Sequence, residues 1–313
     1  MVSYIFKRIL AAVGTLLLIM AITFFLMNAI PGNPFLSEKA SPRAIELAYK
    51  KYGLDQPLIV QFKNYVVNYL HGDLGVSLKM QEGTAVKDII FHQGKFTRSI
   101  QLGLSALALA IVIGIPLGCA AAYHRGSWLD GFLRVMTTVG VAIPTFVLAT
   151  LLLAFFAVKI PIFPVKSGEL TDFKSFVLPV ISLSFYYMCY LSKLTRTSML
   201  DAINQDYIRT ARAKGVRNRV LVLKHALRNS LIPVITYLGP VLAGIITGSF
   251  VVESTFQVPG LGKYFVQSVM NRDYPIIMAT TVILSALVIF MNLVVDIAYK
   301  LVDPRITLTA KEG

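Results

Sequence analysis

The stretch IQLGLSALALAIVIGIPLGCAAAY, residues 100–123, carries no charged side chain over 24 positions. As a helix rising 1.5 Å per residue it is about 36 Å long, enough to cross the ~30 Å hydrocarbon core of a bilayer. Comparable apolar runs extend from Ile9 to Ile30, from about Val135 to Val158, from Phe176 to Leu191, from Leu231 to Val252 and from Ile276 to Tyr299. The fourth is short and contains Pro179, and Pro116, Pro144 and Pro240 fall inside others. Bundled membrane helices tolerate such prolines because neighbours re-satisfy the freed carbonyls. The pattern predicts an all-α integral membrane protein with six transmembrane helices.

Composition agrees. The 313 residues are 56% hydrophobic and only 15% charged, and the mean hydropathy is +0.68. Soluble domains carry about 25% charged residues, so too little polar surface exists here to cover a globule in water. The net charge of +14 does not point to nucleic acid, because the basic residues sit between apolar runs rather than on a polar domain. They read instead as topology signals. With the N-terminus inside, the inner segments hold sixteen Lys and Arg and the two short outer loops five, which predicts cytoplasmic termini. The first run follows Lys7 and Arg8, exceeds the roughly 7–15 residues of a signal core, and reads as an uncleaved anchor. Cys119 and Cys189 lie inside apolar runs, so no disulfide is expected and no paired-cysteine metal spacing occurs.

The chain thus divides into the first helix with its N-terminus (1–30), an extracytoplasmic insert (31–98) and a core of five helices (99–313). In the insert, Ser41-Pro42 reads as a helix start and Gly53 as a stop. Pro57 opens a second helix, with Ile59, Phe62, Val66 and Leu70 at helical spacing, and Gly72, Gly75 and Gly83 mark turns. The insert lacks the core to fold alone and is expected to lean on the bundle.

Residues 193–230 cannot span, since they hold nine basic side chains and each costs about 2.5–3.5 kcal/mol at the membrane centre. DYIRTARAKG, residues 206–215, reads as a short helix ended by a glycine able to take the left-handed cap conformation. Asn218 can cap a second helix, with Val220, Leu223 and Leu227 along one side. Ala211 and Ala213 leave the first helix thin enough to enter a groove. The alternative is a solvated basic loop.

This segment resembles the cytoplasmic coupling loop of permease subunits of ABC importers. Ala211 and Gly215 match the loop's Ala and Gly, while Arg209 and Thr210 stand where the short consensus has Glu and Ala. The longer run, from Asp206 through KHALRNSLIP (224–233), is similar to the dipeptide and oligopeptide branch. So are AIPGNP (29–34), GSFVVE (248–253), VPGLG (258–262), NRDYP (271–275) and DPRI (303–306). The resemblance covers nearly the whole chain. It implies a type I importer permease fold in a bacterial or archaeal inner membrane. The implied partners are a second homologous permease, two ABC ATPase subunits, an extracytoplasmic peptide-binding protein and membrane lipid. No cofactor is implied in this chain, and ATP and Mg belong to the partner ATPases. The ATPase-coupling positions it implies are Asp206, Tyr207, Arg209, Thr210, Ala211, Ala213, Lys214 and Gly215. Within the family, nickel and glutathione importers remain alternatives for the cargo.

No phosphate-binding loop is present: Gly94-Lys95 and Gly262-Lys263 are not followed by Ser or Thr. The four histidines are scattered, which disfavours a zinc enzyme. An ion-driven secondary transporter would bury ionisable groups near mid-membrane, and only Asp296, near the inner end of the last run, is visible. The polar residues of the runs (Asn28, Thr137, Ser182, Ser184, Thr236, Thr280 and Thr281 among them) are expected to make interhelical hydrogen bonds. Gly114 with Gly118, and Gly244 with Gly248, have the spacing for close helix contact. The first pair is expected within the chain, and the second is a candidate seam with another permease. The outer loop from Glu253 to Pro275 holds Phe256, Pro259, Gly260, Leu261 and Gly262. It is expected either to pack as a re-entrant turn or to project an apolar tip, Phe256 and Leu261, toward a binding protein and help release cargo.

Overall fold

The computed structural model describes residues 2–29, 56–165, 173–217, 220–246 and 249–302. Ser41-Pro42, Gly53, Asn218, Gly248 and residues 30–34 and 303–306 lie outside these, as does the side chain of Asp296. The described residues are helical apart from turns and one isolated bridge between Val76 and Ala85. The chain divides into two compact units: residues 1–98 with 259–289, and residues 99–258 with 290–313.

The first unit opens with α1 (Val2–Ala29), whose apolar surface is largely exposed. α2 (Leu58–Leu70) follows Pro57, which occupies its cap position. It meets the end of α1 through aromatic rings, Phe24 lying 5.5 Å from Phe62 and 5.8 Å from Tyr65. After turns with positive φ at Gly72, Gly75 and Gly83, a π-helical turn (Asp88–His92) leads into α3 (Lys95–Tyr123). Val86, Ile89 and Ile90 are fully buried against Leu261, Ile276 and Ala279, with Tyr69, Leu74, Phe96 and Tyr264 closing the sides. The insert therefore has no separate core; it shares one with α10 (Leu261–Asn271) and the first half of α11 (Tyr274–Val302).

Asp273, between those helices, is fully buried. Its carboxylate accepts from the Ser77 hydroxyl at 2.6 Å and from the backbone N–H groups of Leu78, Lys79 and Met80 at 3.2, 3.0 and 2.9 Å. Four donors, one of them a hydroxyl, satisfy a buried carboxylate without a cation.

In the second unit α6 (Phe173–Ile203) is central and packs against α4 (Trp128–Ala142), α5 (Thr145–Leu153) and α8 (Leu227–Ile246). Its contact with α3 is close because of two glycines. A Cβ on Gly114 would lie 2.7 Å from the Met188 carbonyl oxygen, and one on Gly118 would strike that of Ser192. This first Gly-x3-Gly pair is thus an intrachain contact. α7 (Asp206–Ala213), a π-helical turn (Leu221–Ala226) and α9 (Phe250–Thr255) complete the unit.

Four described helices are long and apolar enough to cross a membrane: 6–29, Lys95–Tyr123, Phe173–Ile203 and 274–294. The expected third span is not one straight helix. α4 and α5, with the π-helical extension Ala154–Lys159, meet at a 99° bend. Ile143 is extended there (φ −76°, ψ 121°) because it precedes Pro144, which disfavours the α conformation before it and has no N–H to offer. The expected fourth span also differs. The helix runs on past Leu191 to Ile203, so the first part of the 193–230 segment continues α6 rather than forming a loop.

Candidate functional site

α7 begins after Gln205, which is extended (φ −75°, ψ 153°), and places Asp206 in its first turn and Arg212 in its last, in accord with the helix dipole. Its end is a full Schellman motif: the Val216 N–H donates to the Ala211 carbonyl at 3.3 Å and the Gly215 N–H to that of Arg212 at 3.0 Å. Gly215 sits at φ +78° with no atom within 4 Å of a would-be Cβ, so its requirement is conformational, not spatial.

Only one side chain of α7 is buried. Ile208 packs on Ala202, near the end of α6, and on Ala226, with Ile203 alongside. Asp206, Tyr207, Arg209, Thr210, Ala213, Lys214 and Gly215 are exposed and Ala211 is half-buried. The Arg209–Asp206 pair at 3.3 Å is solvated on both sides. The predicted coupling residues thus share one short helix whose outer face carries Tyr207 and a basic rim. Ile208, which attaches it, lies inside the quoted motif but was not singled out from sequence; its apolar character among seven polar or small neighbours was the available signal.

Above this, Met199, Ala122 and Val222 form a small apolar joint with Cys119 and Leu227. Next to it Arg196 makes a bidentate pair with Asp130, Nε to Oδ1 at 2.6 Å and a second guanidinium nitrogen to Oδ2 at 2.9 Å. Asp130 is 2% exposed and also accepts from the Gly126 N–H at 3.1 Å. Ser127 caps α4 by accepting from the Asp130 N–H. The other buried carboxylate of this unit, Glu253 in α9, accepts from the Ser99 hydroxyl at 2.7 Å. Asp296 is therefore not the only acidic group to weigh. Asp130 and Glu253 lie at the first turn of α4 and just after Val252.

Of the two alternatives for the loop from Glu253 to Pro275, the exposed apolar tip is corrected and the packed turn is what the structure has. Phe256 and Leu261 are each 1% exposed, Val258, Gly260 and Gly262 are buried, and Pro259 is half-buried. Leu261 opens α10 inside the core shared with Val86 and Ile89. Apolar side chains beside a Gly/Pro turn have more to gain from a neighbouring core than from water. Gln257, left-handed at φ 56°, is the exposed residue of the turn. Several polar residues of the spans hydrogen-bond to their own helix. Asn28, Thr137, Ser182, Thr236, Thr280 and Thr281 each donate to the carbonyl four residues back, and Ser184 to the one three back. Gly244 is exposed with no atom within 4 Å of a Cβ position. Among the described residues, no three His, Cys, Asp or Glu side chains gather as a metal site.

A profile of the family described as "Binding-protein-dependent transport system inner membrane component" matches residues 114–308, which include α7 and the joint above it. The chain belongs to this family. A second profile, for the N-terminal part of such membrane components, matches residues 1–82. Among similar proteins, the dipeptide transport system permease protein DppB of Bacillus subtilis is 43% identical over 99% of this chain and all of its own length. The oligopeptide transport system permease protein OppB of Haemophilus influenzae is 40% identical over 98% of this chain and 99% of its own. The OppB protein of Escherichia coli K12 is 36% identical over the same shares. An inner membrane component of this family is a multi-pass transport subunit with the type I importer permease fold.

Proposed function

We propose that this chain is one of two permease subunits of a peptide importer in a bacterial or archaeal cell membrane, driven by two separate ABC ATPases that bind ATP and Mg. The observation carrying the reading is α7, a preformed helix held to the bundle by one buried side chain, with its remaining surface free for a partner. A rigid Schellman end and a thin Ala211/Ala213 flank suit insertion into a groove on an ATPase. Movement of α7 reaches α6 directly through Ile208 and Ala202, so nucleotide-driven closure of the ATPases alternates the bundle between inward-open and outward-open states mechanically. Peptide is the cargo by virtue of the relatives' names, DppB and OppB, and of the matching motifs throughout the chain.

In this reading the bundle has six spans and both termini face the cytoplasm. The binding protein docks on the outer segment, where Val269 and Met270 of α10 are exposed. Gly244, with Gly248, meets the second permease. The test is expression of the chain with its candidate partners and reconstitution in vesicles. Co-purification of the ATPases and ATP-dependent uptake of a pentapeptide are expected. Stable isolation of the chain alone with uptake driven by an ion gradient would overturn the proposal.

A further inference from the structure

α6 and α8 bring four tyrosines together inside the second unit. Tyr190 stacks on Tyr237 with ring centroids 4.2 Å apart, Tyr186 stacks on Tyr190 at 6.3 Å, and Tyr187 meets Tyr186 edge-on at 5.3 Å. All four rings are half-buried. Tyr187 and Tyr237 rest one side on the core of Ala110, Leu191 and Val234.

Their depth is unusual for tyrosine. Membrane tyrosines concentrate at the interfaces, where the hydroxyl reaches the headgroups. Tyr237 lies nine residues from Arg228 (237 − 228) and Tyr186 seven from Lys193 (193 − 186). Those offsets are about 13 and 10 Å along a helix, which sets these two inside the apolar stretch, with Tyr190 nearer its edge, three residues from Lys193. Among the described residues none of the four hydroxyls has a hydrogen-bond partner. Ser182, Ser184 and Thr236 on the same two helices each donate to a carbonyl of their own helix, an option closed to a phenol, whose oxygen is too far from its own backbone. A phenol facing hydrocarbon without a partner costs several kcal/mol, and several together would multiply that cost. The cluster therefore belongs to a wet surface.

We propose that Tyr186, Tyr187, Tyr190 and Tyr237 line the translocation path and form a contact site for the passing peptide. This rests on the importer reading above and names the surface that reading leaves open. The chemistry suits a peptide of varied sequence. Phenol hydroxyls both donate and accept, matching backbone N–H and C=O groups, while the ring faces accept apolar, aromatic or cationic side chains. No ionised group in the cluster selects one side-chain charge.

The test uses the assembled transporter in vesicles, with Cys119→Ser and Cys189→Ala as the background. Tyr237→Cys is expected to react with a small charged methanethiosulfonate reagent at least tenfold faster than Val112→Cys, which lies on an exposed apolar face of α3. A transported pentapeptide, supplied with binding protein and ATP, is expected to slow that reaction. Equal rates at the two positions would place the cluster against lipid or a partner subunit and overturn the proposal, as would fast labelling that the peptide does not alter. The triple variant Tyr186→Phe, Tyr190→Phe, Tyr237→Phe keeps the rings and removes three hydroxyls. With each hydrogen bond worth a modest net amount, it is expected to lower peptide uptake about tenfold while the complex assembles; unchanged uptake would overturn the role of the hydroxyls. Failure of the unaltered complex to import any peptide would defeat the importer reading itself, a result distinct from these.

Discussion

The segment around Ser77 and the segment around Ile208 are both short excursions from the long apolar helices, and they are fastened in opposite ways. Residues 77–80 are held by a buried carboxylate, Asp273, with four hydrogen bonds, above an apolar core of six fully buried side chains. α7 is held by one isoleucine and by its own capping bonds. Buried charge-assisted bonds are costly to break and admit few geometries; a single apolar contact permits a helix to tilt. The segment around Ser77 is thereby held in one shape, while α7 rests on a single buried anchor.

Removing the fastenings should therefore have unequal results. Asp273→Ala leaves the Ser77 hydroxyl and three backbone N–H groups without their acceptor, and should destabilise the first unit by about 3 kcal/mol or more. Thermal unfolding in detergent, or proteolysis near Glu82, should show it. Stability equal to the unaltered protein would mean that the carboxylate is not the fastening. Ile208→Ala empties the one buried contact of α7 and should cost about 2 kcal/mol locally. The bundle should keep its melting temperature while proteolysis between Asn204 and Val216 accelerates. A loss of global stability as large as that of Asp273→Ala would erase the contrast.

How much of this was legible in the sequence follows from range. The apolar runs are long-window signals, and helices stand at each of them. Gly215 was legible because a left-handed helix end is a local demand that one residue type meets best. The bend at Pro144 was also local, but the proline was read as tolerated within a span, and the run of apolar residues on both sides concealed the break. The end of α6 was misplaced because Lys193 and Arg196 looked like loop residues. Asp130, 66 positions away, neutralises Arg196, and nothing between them in sequence announces that pairing. The same is true of Asp273 and Ser77, 196 positions apart. NRDYP was recognised as a family motif without its aspartate being read as a fastening. For Phe256 and Leu261 the sequence left both a packed turn and a projecting tip open, because a Gly/Pro turn permits either, and only a core supplied from Val86, Ile89 and Ile276 decides that Leu261 is taken in. The tyrosines went unremarked because hydropathy windows count them as apolar and ignore their hydroxyls.

The account stands on α7 as the element through which ATP hydrolysis drives transport, and Gly215→Pro tests it most directly. Proline is locked near φ −65° and has no N–H, so it can neither take the +78° conformation nor donate to Arg212. Gly215 is exposed and a side chain there would meet no atom within 4 Å, so the bundle itself should be unaffected. Peptide-stimulated ATP hydrolysis by the reconstituted complex should fall to its unstimulated level, with the permease still present in the membrane in normal amount. Full stimulation in that variant would contradict the account.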